Sequence, residues 1–510
     1  MILAGPVLPR TGRERGSALA ASSMEVRRRL SHPVIDADGH MRELLPAVLP
    51  YLRDSLGAAR FDAWRSGGTA LQQATKVGAG LAERRATRKP QSAFWATVSG
   101  DGVDRATATS PALLHDRMEE LGFDFVVLYP TEAMGIAGVE DDDLRIGLCR
   151  GFNEFFAAVG GPHRDRIAVA GVLPMHTPAE AIAELEHCRS LGLKVVCIPH
   201  GVRRPIHRPA SAPESPYLWP GQTHWLDTFG LDSEHDYDPV WEAHRRHGYA
   251  VTCHGGMAIP IGVYSSISSF TYNHLGSFAQ MMYPTCKSLF LGGVTRRFPD
   301  LPIAFLECGV SWACSLLVDL VEHWEKRNVA ALQATRPDLL DTARVEQLLR
   351  AHPGRLLDRL DGDLSEAVRR LGLPDPVPDE VDEWIHVQIR AATDIRDLFV
   401  PNLYFGCEAD DRTAAFAFSP ANAFGARLNA IFSSDIGHWD VRHMDRVLAE
   451  AWGLVEDGVM GEADFRDFVF ANPARLYLTA DPGFFEGTAL ATAVDGLAPA
   501  HTGVDVPVSR

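Results

Sequence analysis

The chain has 510 residues, 46% of them apolar and 23% charged, with a formal net charge of −17. That balance is typical of a folded protein with a large core, and the negative charge excludes nucleic acid and anionic membranes as expected partners, because both would repel it. Eight cysteines without a CxxC pair imply reduced, buried thiols and a cytoplasmic setting.

Residues 1–30 lack a continuous apolar core and carry several arginines late, so they are expected to be a disordered or weakly ordered tail with no signal peptide. No stretch approaches the ~18 uninterrupted apolar residues of a membrane span. From residue 31 a series of short apolar runs begins, most ending in a polar residue. "PVIDADGH" (33–40) comes first. "FDFVVLYPT" (123–131) follows the helical pattern "ALLHDRMEELG", and "RIAVAGVLP" (166–174) follows "RIGLCRGFNEFFAAVG". "LKVVCIP" (193–199) follows an amphipathic stretch with a glycine stop, and "YAVTCHGG" (249–256) follows "DPVWEAHRRHG". "PIAFLECG" (302–309), "NLYFGCEADD" (402–411) and "NAIFSSDIGHWD" (429–440) complete eight runs.

Strands alternating with helices predict a parallel α/β sheet, and eight such units predict a (β/α)8 TIM barrel with long loop insertions. A doubly wound open sheet is the alternative. The barrel is expected to occupy residues 31–480, with insertions near 55–110, 200–236 and 325–398 and a C-terminal tail over 481–510. The chain has no internal repeat and no low-complexity tract.

In a parallel barrel the C-terminal strand ends converge on one face. The polar residues at those ends are Asp38 and His40 on the first strand, His254 on the fifth, Glu307 on the sixth, Glu408 on the seventh and Asp435 on the eighth. Two imidazoles and four carboxylates suit one divalent metal ion (zinc, manganese or iron) with a position left open for water or substrate. Asp38 and His40 stand two apart on a strand, so both leave the same side. Taken singly, each residue has a simpler reading. Asp36 reads as a strand-end acid or a loop cap, His254 as a satisfied core histidine, Glu307 as an ion-pair partner, and Asp435 as a helix cap. Taken together, the simple readings require a series of coincidences, and a shared metal site is expected.

These stretches also carry a resemblance. "IDADGHMRE", "DRMEELGFDFVVLYPT", "GFNEFF", "RIAVAGVLPMHTPAEAIAELEHC", "DPVWEAHRRHGYAVTCHGG", "GGVTRRFPDLPIAFLECGVSW", "LYFGCEADD", "IFSSDIGHWD" and "NPARLYL" resemble the amidohydrolase superfamily. The resemblance is to its amidohydrolase-2 group, which includes aminocarboxymuconate semialdehyde decarboxylase and the 5-carboxyvanillate and γ-resorcylate decarboxylases. It spans residues 33–478 or so and implies a single metal held by Asp38, His40, His254 and Asp435. No lysine ends the fourth strand, so a carbamylated-lysine binuclear centre is not implied. The departure is at strand six, where Glu307 stands in place of the proton-handling histidine of the decarboxylases. Glu307 can do acid–base work if burial raises its pKa, and His274, in "TYNHLGSFAQMM", is a candidate replacement for the missing imidazole.

Three functions follow. The first is a mononuclear metal-dependent hydrolase acting through metal-activated water on a small organic substrate, cyclic or aromatic and carboxylate-bearing, with Asp435 as ligand and proton acceptor and Glu307 or His274 assisting. The second is a non-oxidative decarboxylase of an aromatic acid in which Asp435 protonates the ring carbon. The third is an inactive barrel used for binding, against which the retained polar strand ends argue. Arg203, Arg204 and Trp312 are candidate substrate contacts. A homodimer is the base-rate expectation for assembly, with 325–398 as its candidate contact.

Overall fold

The computed structural model describes residues 21–66, 80–91, 93, 101–207, 222–256, 265–334, 339–371, 382–438 and 440–497. The outer parts of both terminal segments, and stretches inside each of the three insertions, lie outside the described residues.

Eight apolar runs form eight strands: β1 (Ile35–Met41), β2 (Phe125–Pro130), β3 (Ile167–Val172), β4 (Val195–Pro199), β5 (Val251–His254), β6 (Ile303–Phe305), β7 (Leu403–Glu408) and β8 (Asn429–Ser433). They lie in sequence order in one sheet, and every paired neighbour is parallel. Runs such as "FVVLYP" are buried along their whole length, as strands covered on both faces must be. The sheet closes where β8 runs out: the Asp435 amide donates to the Asp38 carbonyl at 3.1 Å, and the His40 amide to the Ile436 carbonyl at 2.7 Å. This is the (β/α)8 barrel, not the doubly wound alternative.

Local chemistry sets the helix boundaries. The helix Pro111–Leu121 has Ser110 accepting from the Leu113 amide at its start, proline in its first turn, and Gly122 left-handed at φ +80° after its end. Thr177 caps Pro178–Ser190 in the same way. The additions to the barrel fall in its loops. Helices Leu45–Leu56, Ala58–Ser66, Leu81–Thr87 and Gly102–Thr109 stand between β1 and β2. An antiparallel ribbon, Val202–Pro205 with His224–Asp227, follows β4. Helices Val329–Ala334, Thr342–Ala351, Leu364–Leu371 and Ala392–Phe399 precede β7.

The described ends of the chain differ from plain tails. Ser23–Arg29 is a helix with a reciprocal Ser22–Glu25 capping box, and Val26 is buried. Beyond residue 480, Phe484 stacks on Tyr477 with ring centroids 4.5 Å apart, and Phe485 packs edge-on against Phe125. Both segments cover apolar surface at the barrel's rim, a requirement that their polar composition conceals. All eight cysteines are free and buried. No helix among the described residues is long and apolar enough to cross a membrane.

Candidate metal centre

The site begins with an irregularity in β1. Its register against β2 shifts between Asp36 and Gly39, a bulge of the kind that re-aims side chains. Asp36 is fully buried beneath it and is an anchor: its carboxylate accepts from the Ser434 amide at 2.9 Å, the Ser434 hydroxyl at 2.5 Å and the Asp38 amide at 3.2 Å. The acid at this strand end is therefore neither solvated nor aimed at the mouth. It joins β1 to the end of β8 and leaves Asp38 and His40 pointing inward.

Across the mouth, β6 and β8 end in unusual backbone. Glu307 and Asp435 are non-glycine residues with φ +52°, a left-handed conformation that costs energy for a side chain with a Cβ and concentrates at functional sites. Gly437 (φ +99°) turns the chain back over β1, where a Cβ would stand 2.4 Å from the His40 carbonyl oxygen. That turn brings in His438. Its Nδ1 lies 2.7 Å from Asp435 Oδ1, and its ring stacks on His40 at 3.8 Å.

The resulting cluster is tight. His40 Nε2 is 3.2 Å from His254 Nε2, 3.5 Å from Asp435 Oδ1, 3.6 Å from Asp38 Oδ1 and 3.9 Å from Glu307 Oε2. His254 Nε2 is 3.3 Å from Glu307 Oε2 and 3.7 Å from Asp38 Oδ1. Ligands about 2.1 Å from one ion in tetrahedral array stand about 3.4 Å from one another, so the spacing is that of one coordination sphere. Two donor groups overlap at His40: Asp38, His40 and His254, and His40, Glu307, Asp435 and His438.

Electrostatics makes the same case. Asp38 Oδ1 and Oδ2 and Glu307 Oε2 are buried with no well-formed hydrogen bond among the described residues, and Asp435 Oδ1 meets a neutral ring nitrogen, His438 Nδ1 at 2.7 Å, rather than a cation. No lysine or arginine among those residues pairs with them, although a buried charge ordinarily needs a partner. Burial, then the neighbouring carboxylates, pushes Asp38 and Glu307 well above the usual carboxylate range. Burial, then Asp440, does the same to Asp435, with which Asp440 shares a hydrogen bond. Glu408 is shifted upward too, by burial and by Asp435. Burial depresses His254 and His438 to about 4 and His40 well below its ordinary value, leaving neutral imidazoles with lone pairs to offer. Orphaned anionic oxygens and neutral imidazole nitrogens at these spacings fit a divalent cation.

The structure brings Asp38, His40, His254, Glu307 and Asp435 together. It places His274 outside the cluster, on the short helix Phe270–His274, with Nε2 3.7 Å from Asp440 Oδ2. Arg203 pairs with Glu140, Arg204 with Asp227 and Tyr237, and the Trp312 indole donates to the Cys308 carbonyl. All three are engaged within the fold. His438 and Glu43 were not singled out from sequence. Glu43 accepts from the Thr131, Glu132 and Ala133 amides and ties the end of β1 to that of β2. The signal for His438 was its position three residues after Asp435 with a glycine between. Beside His254 lies an apolar recess walled by Met134, Ile136, Val172, Leu173, Cys197 and Pro199.

The model of the Amidohydrolase family matches residues 31–478. None of the curated proteins compared matches the chain. Among solved structures, a 2,6-dihydroxybenzoate decarboxylase complexed with 2,6-dihydroxybenzoate is 15% identical, with 88% of this chain and 99% of that chain covered, at a TM-score of 0.45. A 5-carboxyvanillate decarboxylase from Sphingomonas paucimobilis is 15% identical, over 88% and 99%, at 0.44. A dihydroxybenzoic acid decarboxylase from Polaromonas sp. JS666, with bound manganese and 2-nitroresorcinol, is 15% identical, over 88% and 97%, at 0.42.

Proposed function

Because this chain belongs to the Amidohydrolase family, whose members are metal-dependent enzymes, we propose that it hydrolyses a small organic molecule at a site built from Asp38, His40, His254 and Asp435. The observation that carries this reading is Glu307. Its orphaned Oε2 stands 3.3 Å from His254 Nε2 and 3.9 Å from His40 Nε2, beside the donors but surplus to what a dication needs for neutrality once Asp38 and Asp435 are counted.

Asp38, His40, His254 and Asp435 would hold the ion. When bound, a divalent ion supplies Lewis acidity, polarising a substrate oxygen and making water more acidic. The chain's own groups do the proton work. Glu307, shifted upward by burial and by Asp435 and Asp38, is tuned as a general base that takes a proton from water as its oxygen attacks an acyl carbon. The C–N or C–O bond then breaks, and Glu307 or Asp435 returns the proton to the leaving atom.

Non-oxidative decarboxylation is the second reading, and the same residue favours it under one condition. A substrate carboxylate at the cluster would be repelled by ionised Glu307 but tolerated by its acid form, which could protonate the carbon that loses CO₂. Both readings are tested on protein purified without chelator, beside Glu307→Gln and His254→Ala. Hydrolysis predicts one metal per chain in wild type and E307Q, little in H254A, and turnover of an amide, ester or lactone that falls ~10²–10⁴-fold in E307Q. CO₂ release from an ortho-hydroxy aromatic acid, with no hydrolysis across the panel, would replace the first reading by the second. Absence of metal after reconstitution with zinc, manganese and iron would remove both.

A further inference from the structure

His274 is a residue near the mouth that the cluster does not absorb, and its surroundings define a different task. It ends the short helix that follows β5 and the segment from residue 265 onward. On one side its ring meets Phe278 edge-on at 6.4 Å, and Phe278, itself buried, meets the His254 ring edge-on at 6.0 Å. On the other side His274 Nε2 lies 3.7 Å from Asp440 Oδ2 in the loop after β8, and Asp440 is hydrogen-bonded to Asp435. His274 therefore touches the supports of two cluster residues on opposite sides of the barrel.

The segment carrying it is tied to the insertion after β1. The Asn273 side chain donates to the Gln91 carbonyl at 2.7 Å and the Ser266 carbonyl at 2.8 Å, and accepts from the Ser266 amide at 2.7 Å. The Gln91 amide donates to the Ser266 carbonyl at 2.9 Å, and Arg84 Nε donates to the Ile267 carbonyl at 2.9 Å. Two loops far apart in sequence are thus knitted into one piece.

We propose that His274 is a positioning residue, a clasp that fastens this two-loop cover to the loop after β8 and so governs access to the barrel mouth. The clasp acts through Asp440 and Phe278 and does not touch the reacting atoms. Fastening a cover of this kind slows exchange of whatever lies beneath it and excludes water from the site.

The test is hydrogen exchange on the full-length, metal-loaded protein, comparing wild type with His274→Ala and His274→Gln. The expected result in H274A is exchange at least about tenfold faster at the Gln91 amide and across residues 265–276. Amides of β5 and β8 should be unchanged, and one metal per chain retained. H274Q, which keeps a donor within reach of Asp440, should restore most of the protection. Once a substrate is in hand, KM should rise in H274A while kcat changes less than about threefold. Unchanged exchange, loss of the metal, or a fall in kcat at constant KM would each overturn the clasp. If H274A does not fold, His274→Phe and Asn273→Ala carry the same comparison. The exchange measurement needs no substrate, so the clasp can fail while the hydrolase reading stands, and the reverse.

Discussion

Two regions of this barrel bury charge, and they do it in opposite ways. Outside the sheet, between the helices Asp142–Gly160 and Pro178–Ser190, Arg145 is fully buried. Its guanidinium donates to Glu180, to Asp142 and to the carbonyls of Val139 and Glu140. Nearby, Glu184 accepts from Asn153 at 2.8 Å and from Arg150 at 3.2 Å. Inside the mouth, Asp38, Glu307 and Asp435 are equally buried, yet oxygens of Asp38 and Glu307 are left without a well-formed hydrogen bond among the described residues, and none of the three is met by a lysine or arginine there. Structural burial of charge is compensated from within the chain, because an unpaired buried ion costs several kcal/mol. Burial without compensation indicates that the partner comes from outside, and a divalent cation is the partner whose charge and spacing match.

The largest effect expected from breaking this contrast is at the uncompensated end. Asp435→Asn or His254→Ala should reduce metal from about one per chain to near zero and activity by at least about 10³-fold, read by elemental analysis and by turnover. In the metal-free protein Asp435→Asn should not lower the melting temperature, because it relieves the like-charge crowding that burial imposes on that carboxylate. The next largest effect lies at the compensated end and has the reverse character. Arg145→Ala strands Glu180 without its guanidinium and should destabilise the protein by about 3–5 kcal/mol. Chemical denaturation measures that loss, and metal content per folded chain should stay the same.

Glu43 is the intermediate case, a buried carboxylate compensated by three backbone amides rather than by a charge. Burial outweighs those amides and lifts its pKa to about 7, above the usual unfolded value of about 4.3. A carboxyl raised on folding contributes stability that is fully present below the unfolded value and is lost as pH rises through the folded one. Wild type should therefore lose stability relative to Glu43→Gln between about pH 4 and pH 8, by an amount on the order of 3 kcal/mol. Denaturation midpoints of the two proteins across that range check it; parallel curves would show that the amides cancel burial at Glu43, and a wild type that gains stability with pH would show that they dominate.

The same contrast explains what could be read from the sequence. The eight strands were legible because parallel strands buried on both faces read as short apolar runs, and a polar residue at the end of such a run is conspicuous. Asp38, His40, His254, Glu307 and Asp435 stand out in that way, and the fold brings them into one cluster. His438 was not, because its position depends on the left-handed turn through Asp435 and Gly437, and a three-residue spacing does not announce a turn. Asp36 looked like its neighbours in composition. The bulge that separates it from Asp38 and turns it into an anchor is a matter of register against β2, which one strand's sequence does not contain. The role of Phe484 and Phe485 was hidden for the same reason: covering the barrel's rim is a property of the closed sheet.

The smallest effect is also the sharpest, because it should change sign. Glu307→Gln removes one of several crowded carboxyl groups and keeps its volume. In metal-free protein at pH 8, relief of like-charge repulsion and of the cost of burying an anion should raise the melting temperature by about 2 °C or more, of the order of 1 kcal/mol in a large domain. In metal-loaded protein the same carboxylate faces a dication, and the substitution should be neutral or destabilising. The metal-free gain should shrink as pH falls, because burial, Asp435 and Asp38 lift Glu307 well above its ordinary value, and once protonated it resembles the amide. A substitution that stabilises only the empty, high-pH state identifies a carboxylate that the fold pays to keep. Equal effects with and without metal would mean that Glu307 belongs with Glu184, a structural acid whose compensation lies within the chain.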